Sequence, residues 1–388
     1  MTSNISKFSF PTTIYFGAGA LENLPDYIQD LKIQKPLIVT DPGMLDTEVF
    51  PKVEKVLKDA GIQYSIFSKV NPNPLDSDIS RAVEVFQQTG CNGLIGLGGG
   101  SALDASKMVQ VIAAHGGRVN DYDISTGGNQ NIKGPLVPMI AIPTTAGTGS
   151  EVGSCSVITS VEQGRKFLVC SPLLIPSIAL LDPELTTGLP ASLTAGTGMD
   201  AFTHCIEALT VKDLHPMCDA IALKGIEFVA KYLETAVKSP NNIEARGYMQ
   251  LAAMMGAVAF QKDLGAAHSL SHSLSAVCHV PHGLANAICI VPVMKFNKET
   301  CLKEYAEVAA CFGINTFDMS DNEAADKAIE AVTDLNRGIG IPEKLSAVGV
   351  KEEHLEELTT KAFLDGCHQT NARKCSKEDL MNLYKEVL

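Results

Sequence analysis

The sequence predicts two domains: an α/β domain with a parallel sheet over residues 1–188, and an all-helical domain over residues 189–388. In the first part, short apolar runs alternate with amphipathic stretches, which is the order of strands joined by helical crossovers. From about Leu189 the strand patterns stop and helical periodicity continues to the end of the chain. Breaks between the predicted helices are expected at Pro216, Ser239–Pro240, Gly265, Pro281, Pro292 and Pro342.

The α/β pattern begins after a segment predicted to be extended, FSFPTTIYFG. Each unit that follows is a short apolar strand and then a helix with one apolar face. The first strands are KPLIVTD, QYSIFSKV and NGLIGLGGG, and the helices after them are LDTEVFPKVEKVLKDAG, DSDISRAVEVFQQTG and SALDASKMVQVIAAHGG. Further strands are predicted at MIAIP, SVITS, KFLVCSP and SIALLDP.

Two glycine-rich segments follow predicted strands. Gly98, Gly99 and Gly100 end a strand and Ser101 begins a helix, so bare backbone and helix N-terminal amides are able to approach a phosphate. The fingerprints GxGxxG and GxxxxGK[ST] are not matched, and tight turns also use glycine for steric reasons. The second segment, MIAIPTTAGTGSEVG, is rich in hydroxyl groups, which suits the binding of a polar ligand.

Two charged residues bear on the nucleotide hypothesis. Asp41 ends a predicted strand, where a carboxylate accepts hydrogen bonds from an adenosine ribose and repels a 2′-phosphate, so NAD is favoured over NADP. An Asp at a strand end serves equally often as a helix cap. Lys166 lies between two predicted strands and is either a cofactor contact or a solvated hairpin cation.

In the helical half, three histidines and one aspartate have spacings that allow them to bind one metal ion. Asp200 and His204 are four residues apart, which places them on one helix face one turn apart. His268 comes next, with His272 one turn later, and His282 lies at the predicted start of another helix. A single histidine on an apolar helix is usually a hydrogen-bonded core residue. Three imidazoles with one carboxylate suit Fe²⁺, Zn²⁺, Mn²⁺ or Co²⁺, and the lack of a thiolate favours a catalytic site.

The composition is that of an ordinary globular protein, with 45% hydrophobic and 19% charged residues. A formal net charge of −13 argues against nucleic acid and anionic membranes as partners, because phosphate binding requires a basic face. The N-terminus lacks the blocks of a signal peptide and no apolar run is long enough to span a membrane, so a cytosolic location is expected. Eleven cysteines without CxxC pairing predict reduced thiols.

The motifs GGGSALDASK, PTTAGTGSE, GMDAFTHCIE and HxxxH followed by PHG occur in this order along the chain. Through them the sequence resembles the iron-dependent (group III) alcohol dehydrogenases, which include lactaldehyde reductases and 1,3-propanediol dehydrogenases. The resemblance covers essentially the whole chain. It implies NAD(H)-dependent interconversion of a small alcohol and an aldehyde, and it implies a homo-oligomer, dimeric or larger.

The resemblance also implies roles for the matching residues. The metal, Fe²⁺ or another divalent ion such as Zn²⁺, would be held by Asp200, His204, His268 and His282. His272 would lie beside the substrate and the nicotinamide as a candidate proton relay. The implied cofactor-binding residues are Asp41, Asn73, Gly99, Gly100, Ser101, Thr144, Thr145 and Lys166.

Some positions depart from the family pattern. The segment AFQKDLGAAH is one residue shorter than expected of lactaldehyde reductases and introduces Lys262 and Asp263. Lys262 raises the hypothesis of a short anionic aldehyde as substrate, although a solvated surface lysine is equally compatible. Ala372 stands where proline is common, and His279 is an additional imidazole near the last ligand.

Two other functions fit parts of the pattern. A metal- and NAD-dependent cyclase of the dehydroquinate synthase type shares the two-domain plan, but it needs several basic residues for a phosphorylated acid substrate, and the helical half offers few. A non-catalytic nucleotide-binding or metal-storage protein would need only one half of the motifs. Intact motifs in both halves favour the dehydrogenase.

Overall fold

The computed structural model of the chain describes residues 9–10 and 12–388. Phe8 and Pro11 of the predicted segment FSFPTTIYFG lie outside the described residues. The described chain forms two compact units, an α/β unit of residues 12–145 with 149–188, and a helical unit of residues 9–10, 146–148 and 189–388. In the described part, we find no helix with the length and apolar character needed to cross a membrane.

A six-stranded sheet forms the centre of the α/β unit. The strands of this unit are β1 (Thr13–Phe16), β2 (Pro36–Val39), β3 (Ser65–Phe67), β4 (Gly93–Gly98), β5 (Met139–Pro143), β6 (Cys155–Ser160), β7 (Arg165–Cys170) and β8 (Ile178–Leu181). Its helices are α1 (Leu24–Asp30), α2 (Val49–Asp59), α3 (Asp76–Gln88) and α4 (Gly100–His115). The predicted alternation of strands and helices is therefore confirmed.

All neighbours in the sheet are parallel, in the order β1-β8-β5-β4-β2-β3. Strands β2, β4, β5 and β8 are buried along their whole length, which is why they appear in the sequence as continuous apolar runs and not as alternating ones. The chain moves outward from β2 to β3 and then crosses back to β4. The strand order therefore reverses between β2 and β4, and parallel α/β sheets bind ligands at the carboxyl ends of strands flanking such a point.

Strands β6 and β7 form a separate antiparallel hairpin and do not join the sheet. Their register places Cys155 opposite Cys170, and the two are joined by a disulfide bond. The prediction of reduced thiols is wrong for this pair, because only the hairpin register brings two cysteines so far apart in sequence together. The other nine cysteines of the chain, all within the described residues, are free thiols.

In the helical unit, four helices pack directly against α5, namely α6, α7, α8 and α9, and the later helices pack on these. Its helices are α5 (Ala191–Thr210), α6 (Pro216–Lys238), α7 (Ile243–Ala259), α8 (Ala266–Val277), α9 (His282–Asn297), α10 (Leu302–Cys311), α11 (Asp321–Gly338), α12 (Leu355–Leu364) and α13 (Lys377–Val387). The expected break at Pro292 is wrong, because this proline is buried inside α9. Proline costs a helix one hydrogen bond, but packing of α9 against α5, α8 and α13 keeps the helix continuous.

Candidate active site

Helix α5 carries the first two predicted metal ligands through the core of the helical unit. Asp200 and His204 are both buried on it, one turn apart, as predicted. Small residues let neighbouring helices approach α5 closely. A Cβ on Gly283, in the first turn of α9, would lie 2.3 Å from the carbonyl oxygen of Gly196 in α5. Glycine at this position therefore allows α9 to present His282 to Asp200.

The four predicted ligands come together around one carboxylate oxygen. Asp200 Oδ1 lies 3.3 Å from Nε2 of His282 and 4.0 Å from Nε2 of both His204 and His268. The amide nitrogen of Asn286 lies 2.7 Å from the same oxygen, and 3.2 Å and 3.3 Å from Nε2 of His282 and His268. Three imidazole nitrogens and one carboxylate oxygen, one atom from each of the four side chains, therefore lie around one small region.

The protonation states favoured by this environment are those that a metal ion requires. Burial by itself raises the pKa of Asp200, but the nearby imidazoles of His204 and His282 hold that pKa well below its ordinary value. Burial lowers the pKa of His204 to about 4, and burial with His282 lowers the pKa of His268 well below its ordinary value. An ionised carboxylate beside the neutral imidazoles of His204 and His268 suits a divalent transition metal, so these residues fit such an ion.

The ligand set is closed on one side and open on the other. His204 and His268 are buried, and the His204 ring packs between the rings of Phe260 and His268, with centroid distances of 5.1 Å and 4.7 Å. His204 Nδ1 is buried with no hydrogen-bond partner among the described residues. The side chain of His282, by contrast, is 34% exposed. The ligand set is therefore exposed on the side of His282.

His272, the predicted proton relay, lies beside this set with its ring stacked on that of His282, 5.2 Å between centroids. Its Nδ1 is 2.9 Å from Oδ2 of Asp365, and its side chain is 42% exposed. Asp365 also accepts hydrogen bonds from the hydroxyl of Ser269, at 2.7 Å, and from the amide of Cys367, at 2.9 Å. Burial raises the pKa of Asp365, but these bonds and His272 outweigh burial and lower it below its ordinary value.

Three polar residues near the ligands were not recognised in the sequence. Glu207 contacts His268, Asn286 contacts Asp200, and Asp365 contacts His272. The first two carry a local signal, because each lies three or four residues after a predicted ligand and so on the same helix face. Asp365 is 93 residues from its partner and carries no such signal.

Predicted cofactor residues from both glycine-rich segments, together with Asp41, lie at the carboxyl ends of β2, β4 and β5. A Cβ on Gly98, whose φ is +141°, would lie 3.3 Å from Asp41 Oδ2, and one on Gly99 would lie 3.4 Å from Thr145 Cγ2. The amide of Thr144 donates to the carbonyl oxygen of Gly98 at 3.0 Å. Gly100 begins helix α4. The structure therefore gathers these residues at the reversal point of the sheet.

The remaining cofactor residues lie around the turn before α3. Ser101 Oγ donates to the carbonyl oxygen of Pro72 at 2.6 Å, next to the exposed Asn73. Thr159 of β6 donates its amide to Pro74 at 2.8 Å, and Lys166 lies opposite Thr159 in the hairpin. Asp41, the proposed ribose acceptor, also caps a short helical turn, since Oδ1 accepts the amide of Met44 at 3.1 Å.

The structure corrects the interpretation of Lys262. Its side chain is 2% exposed and its ammonium lies 2.5 Å from Asp219 Oδ1. The lysine is therefore neither a solvated surface residue nor an unpaired cation available for an anionic substrate. Its neighbour Asp263 has a φ of +80°, and His279 is exposed in the turn between α8 and α9.

Family descriptions match both parts of the chain. Residues 11–183 match "Iron-containing alcohol dehydrogenase" and residues 194–388 match "Fe-containing alcohol dehydrogenase family, C-terminal". NAD-dependent methanol dehydrogenase from Bacillus methanolicus is 37% identical over 99% of this chain and 100% of its own. Choline dehydrogenase from Bacillus subtilis (strain 168) is 36% identical over 97% of this chain and 94% of its own. A crystal structure of 1,3-propanediol oxidoreductase superposes with a TM-score of 0.95 at 35% identity, covering 99% of this chain and 100% of that one.

Fold, donor set and relatives together define an NAD-dependent oxidoreductase of the alcohol dehydrogenase class. Within that class, the chain belongs to the iron-containing alcohol dehydrogenase family. This assignment excludes the cyclase and the non-catalytic protein that the sequence motifs left open.

Proposed function

We propose that the enzyme interconverts a small primary alcohol and its aldehyde with NAD(H), using one divalent metal ion, Fe²⁺ or Zn²⁺, held by Asp200, His204, His268 and His282. The observation that carries this proposal is the approach of three imidazole Nε2 atoms to within 3.3–4.0 Å of one ionised aspartate oxygen. Such a ligand set accepts several divalent ions, and metal supply in the cell selects among them.

When bound, the metal supplies Lewis-acid chemistry, which lowers the pKa of an alcohol and polarises an aldehyde carbonyl. The chain's own residues prepare and complete that chemistry. Asp200 remains ionised and His204 and His268 remain neutral, so that each presents a lone pair. The exposed side of His282 admits the substrate oxygen.

His272 is the proposed proton relay between the substrate oxygen and solvent. Its Nδ1 is held by Asp365, which leaves Nε2 as the atom that takes up or releases a proton. Histidine is suited to this role because its ordinary pKa lies near neutrality. Its partly exposed side chain gives the proton a route to water.

The proposed NAD site lies at the carboxyl ends of β2, β4 and β5. Bare backbone at Gly99 and Gly100 and the amides at the start of α4 favour a diphosphate. Asp41 favours the ribose of NAD over the phosphorylated ribose of NADP. The side chains proposed to complete the site are Asn73, Ser101, Thr144, Thr145 and Lys166.

The substrate is proposed to be small and without a required negative charge. The relatives named above are dehydrogenases of methanol, choline and 1,3-propanediol, by their names, and no anion is common to them. The paired Lys262 removes the reason for expecting an anionic aldehyde. A cytosolic homo-oligomer remains a proposal, based on composition and on the family resemblance.

The test is NADH oxidation with a panel of neutral, cationic and anionic aldehydes, on protein whose metal content is measured. We expect turnover with neutral aldehydes in proportion to metal occupancy. We expect His268→Ala to lose turnover and bound metal together. Full activity of His268→Ala after chelation would reject the proposed metal centre.

A further inference from the structure

Glu207 is a buried carboxylate that contacts His268 on the side away from the metal-facing nitrogen. Its Oε2 lies 2.6 Å from His268 Nδ1, and the side chain of Glu207 is 3% exposed. We propose that Glu207 is a positioning residue for metal binding, which fixes the tautomer and the ring orientation of His268. This inference rests on the metal centre of the proposed function.

The tautomer follows from the hydrogen-bonding capacity of a neutral imidazole, which has one N–H and one lone pair. An oxygen of Glu207 accepts a hydrogen bond from Nδ1 only if the proton of the imidazole is on Nδ1, and the 2.6 Å contact places Oε2 at that nitrogen. The lone pair is then on Nε2, the nitrogen that lies 4.0 Å from Asp200 Oδ1 and near the other ligands. Glu207 therefore selects the tautomer that is able to bind a metal ion.

The carboxylate is itself held in place by the start of α8. Its Oε1 accepts the amide of Ala267 at 2.7 Å, in the first turn of the helix, where amides stabilise a negative charge. A Cβ on Gly265 would lie 2.8 Å from Oε1, so glycine is needed for the chain to come this close. His268 follows directly in the same turn. The Glu207 carboxylate thus holds both the first turn of α8 and the imidazole ring of His268.

The position of Glu207 on α5 connects it to the other ligands. It lies three residues after His204 and seven after Asp200, on the same face of one buried helix. Helix α5 therefore supplies two ligands directly and orients a third. A ligand set supported by one rigid helix keeps its geometry better than one supported by loops.

The test compares Co²⁺ binding by wild-type protein and by Glu207→Gln, measured by competition with a chelator and by visible absorption. If the side-chain oxygen of the glutamine accepts the hydrogen bond from the Ala267 amide, the glutamine NH₂ group faces His268 Nδ1. That arrangement favours the tautomer of His268 with its hydrogen on Nε2. We expect Co²⁺ to bind about 10- to 100-fold more weakly, with a changed visible spectrum. The matched control is Glu151→Gln, because Glu151 is also 3% exposed but belongs to the α/β unit. The Co²⁺ affinity of this control variant should equal that of the wild-type protein.

Thermal unfolding of both variants in excess chelator shows whether they are folded at the temperature of the binding assay. If Glu207→Gln does not fold, Glu207→Asp serves instead, because its carboxylate is one methylene short of Nδ1 and should also weaken Co²⁺ binding. Wild-type Co²⁺ affinity in the folded variant would overturn the role of Glu207 while leaving the metal centre intact. A wild-type chain that binds no divalent ion would remove both proposals.

Discussion

The close contact between Gly283 and Gly196 makes metal binding sensitive to a single methyl group. In Gly283→Ala, the new Cβ would lie 2.3 Å from the carbonyl oxygen and 2.6 Å from the carbonyl carbon of Gly196. Both atoms belong to the backbone of the buried helix α5, so neither can rotate away from the new methyl group as a side chain could. Restoring an ordinary contact requires α9 to move away from α5 by about 1 Å, and overpacking of this kind costs roughly 1–3 kcal/mol.

The same movement displaces the adjacent ligand, His282, whose Nε2 lies 3.3 Å from Asp200 Oδ1. Metal–ligand distances tolerate changes of only about 0.2 Å, so a shift of this size should weaken Co²⁺ binding by about tenfold or more. The assays are chelator competition for Co²⁺ and thermal unfolding without metal. The matched control is Gly188→Ala, where a Cβ would have no atom within 4 Å. Wild-type Co²⁺ affinity and stability in Gly283→Ala would refute the packing argument.

Three further predictions concern other charged residues. Asp365→Asn should lower kcat about tenfold or more with unchanged metal content, because His272 loses its carboxylate partner; loss of metal instead would contradict a relay role. Asp263→Gly should raise the free energy of unfolding by about 1 kcal/mol by relieving the φ of +80°, and a lower thermal midpoint would contradict this. Burial raises the pKa of Glu151 to about 7, above its ordinary value of 4.5. The protonated Glu151 carboxyl therefore contributes fully to stability below about pH 4.5, and this contribution is lost by about pH 7. The free energy of unfolding should fall by up to about 3 kcal/mol across this range. Glu151→Gln should remove that decline when unfolding is measured as a function of pH.

Periodicity was sufficient to predict the fold class and the parts of the site that lie on single elements. Asp200 and His204 share a helix face because they are four residues apart, and Gly98 ends a strand because an apolar run stops there. Tertiary pairing was not predictable in this way. The runs that became β6, β7 and β8 look alike in sequence, yet only β8 joins the sheet, between β1 and β5.

The residues missed in sequence are those whose partners are distant along the chain. Asp365 acquires its role only when the segment after α12 packs against α8, and Cys155 meets Cys170 only through the hairpin register. Lys262 was misinterpreted for the same reason. A lysine in a polar segment suggests an exposed cation, whereas Asp219 of helix α6 neutralises it within the fold.

The central claim is that turnover depends on one divalent ion held by the helical unit. The most direct measurement is NADH-linked reduction of a small neutral aldehyde by metal-depleted protein titrated anaerobically with Fe²⁺, with bound metal quantified at each point. The proposed function predicts that activity rises linearly with occupancy and levels off at one ion per chain. Undiminished activity at zero occupancy would contradict it.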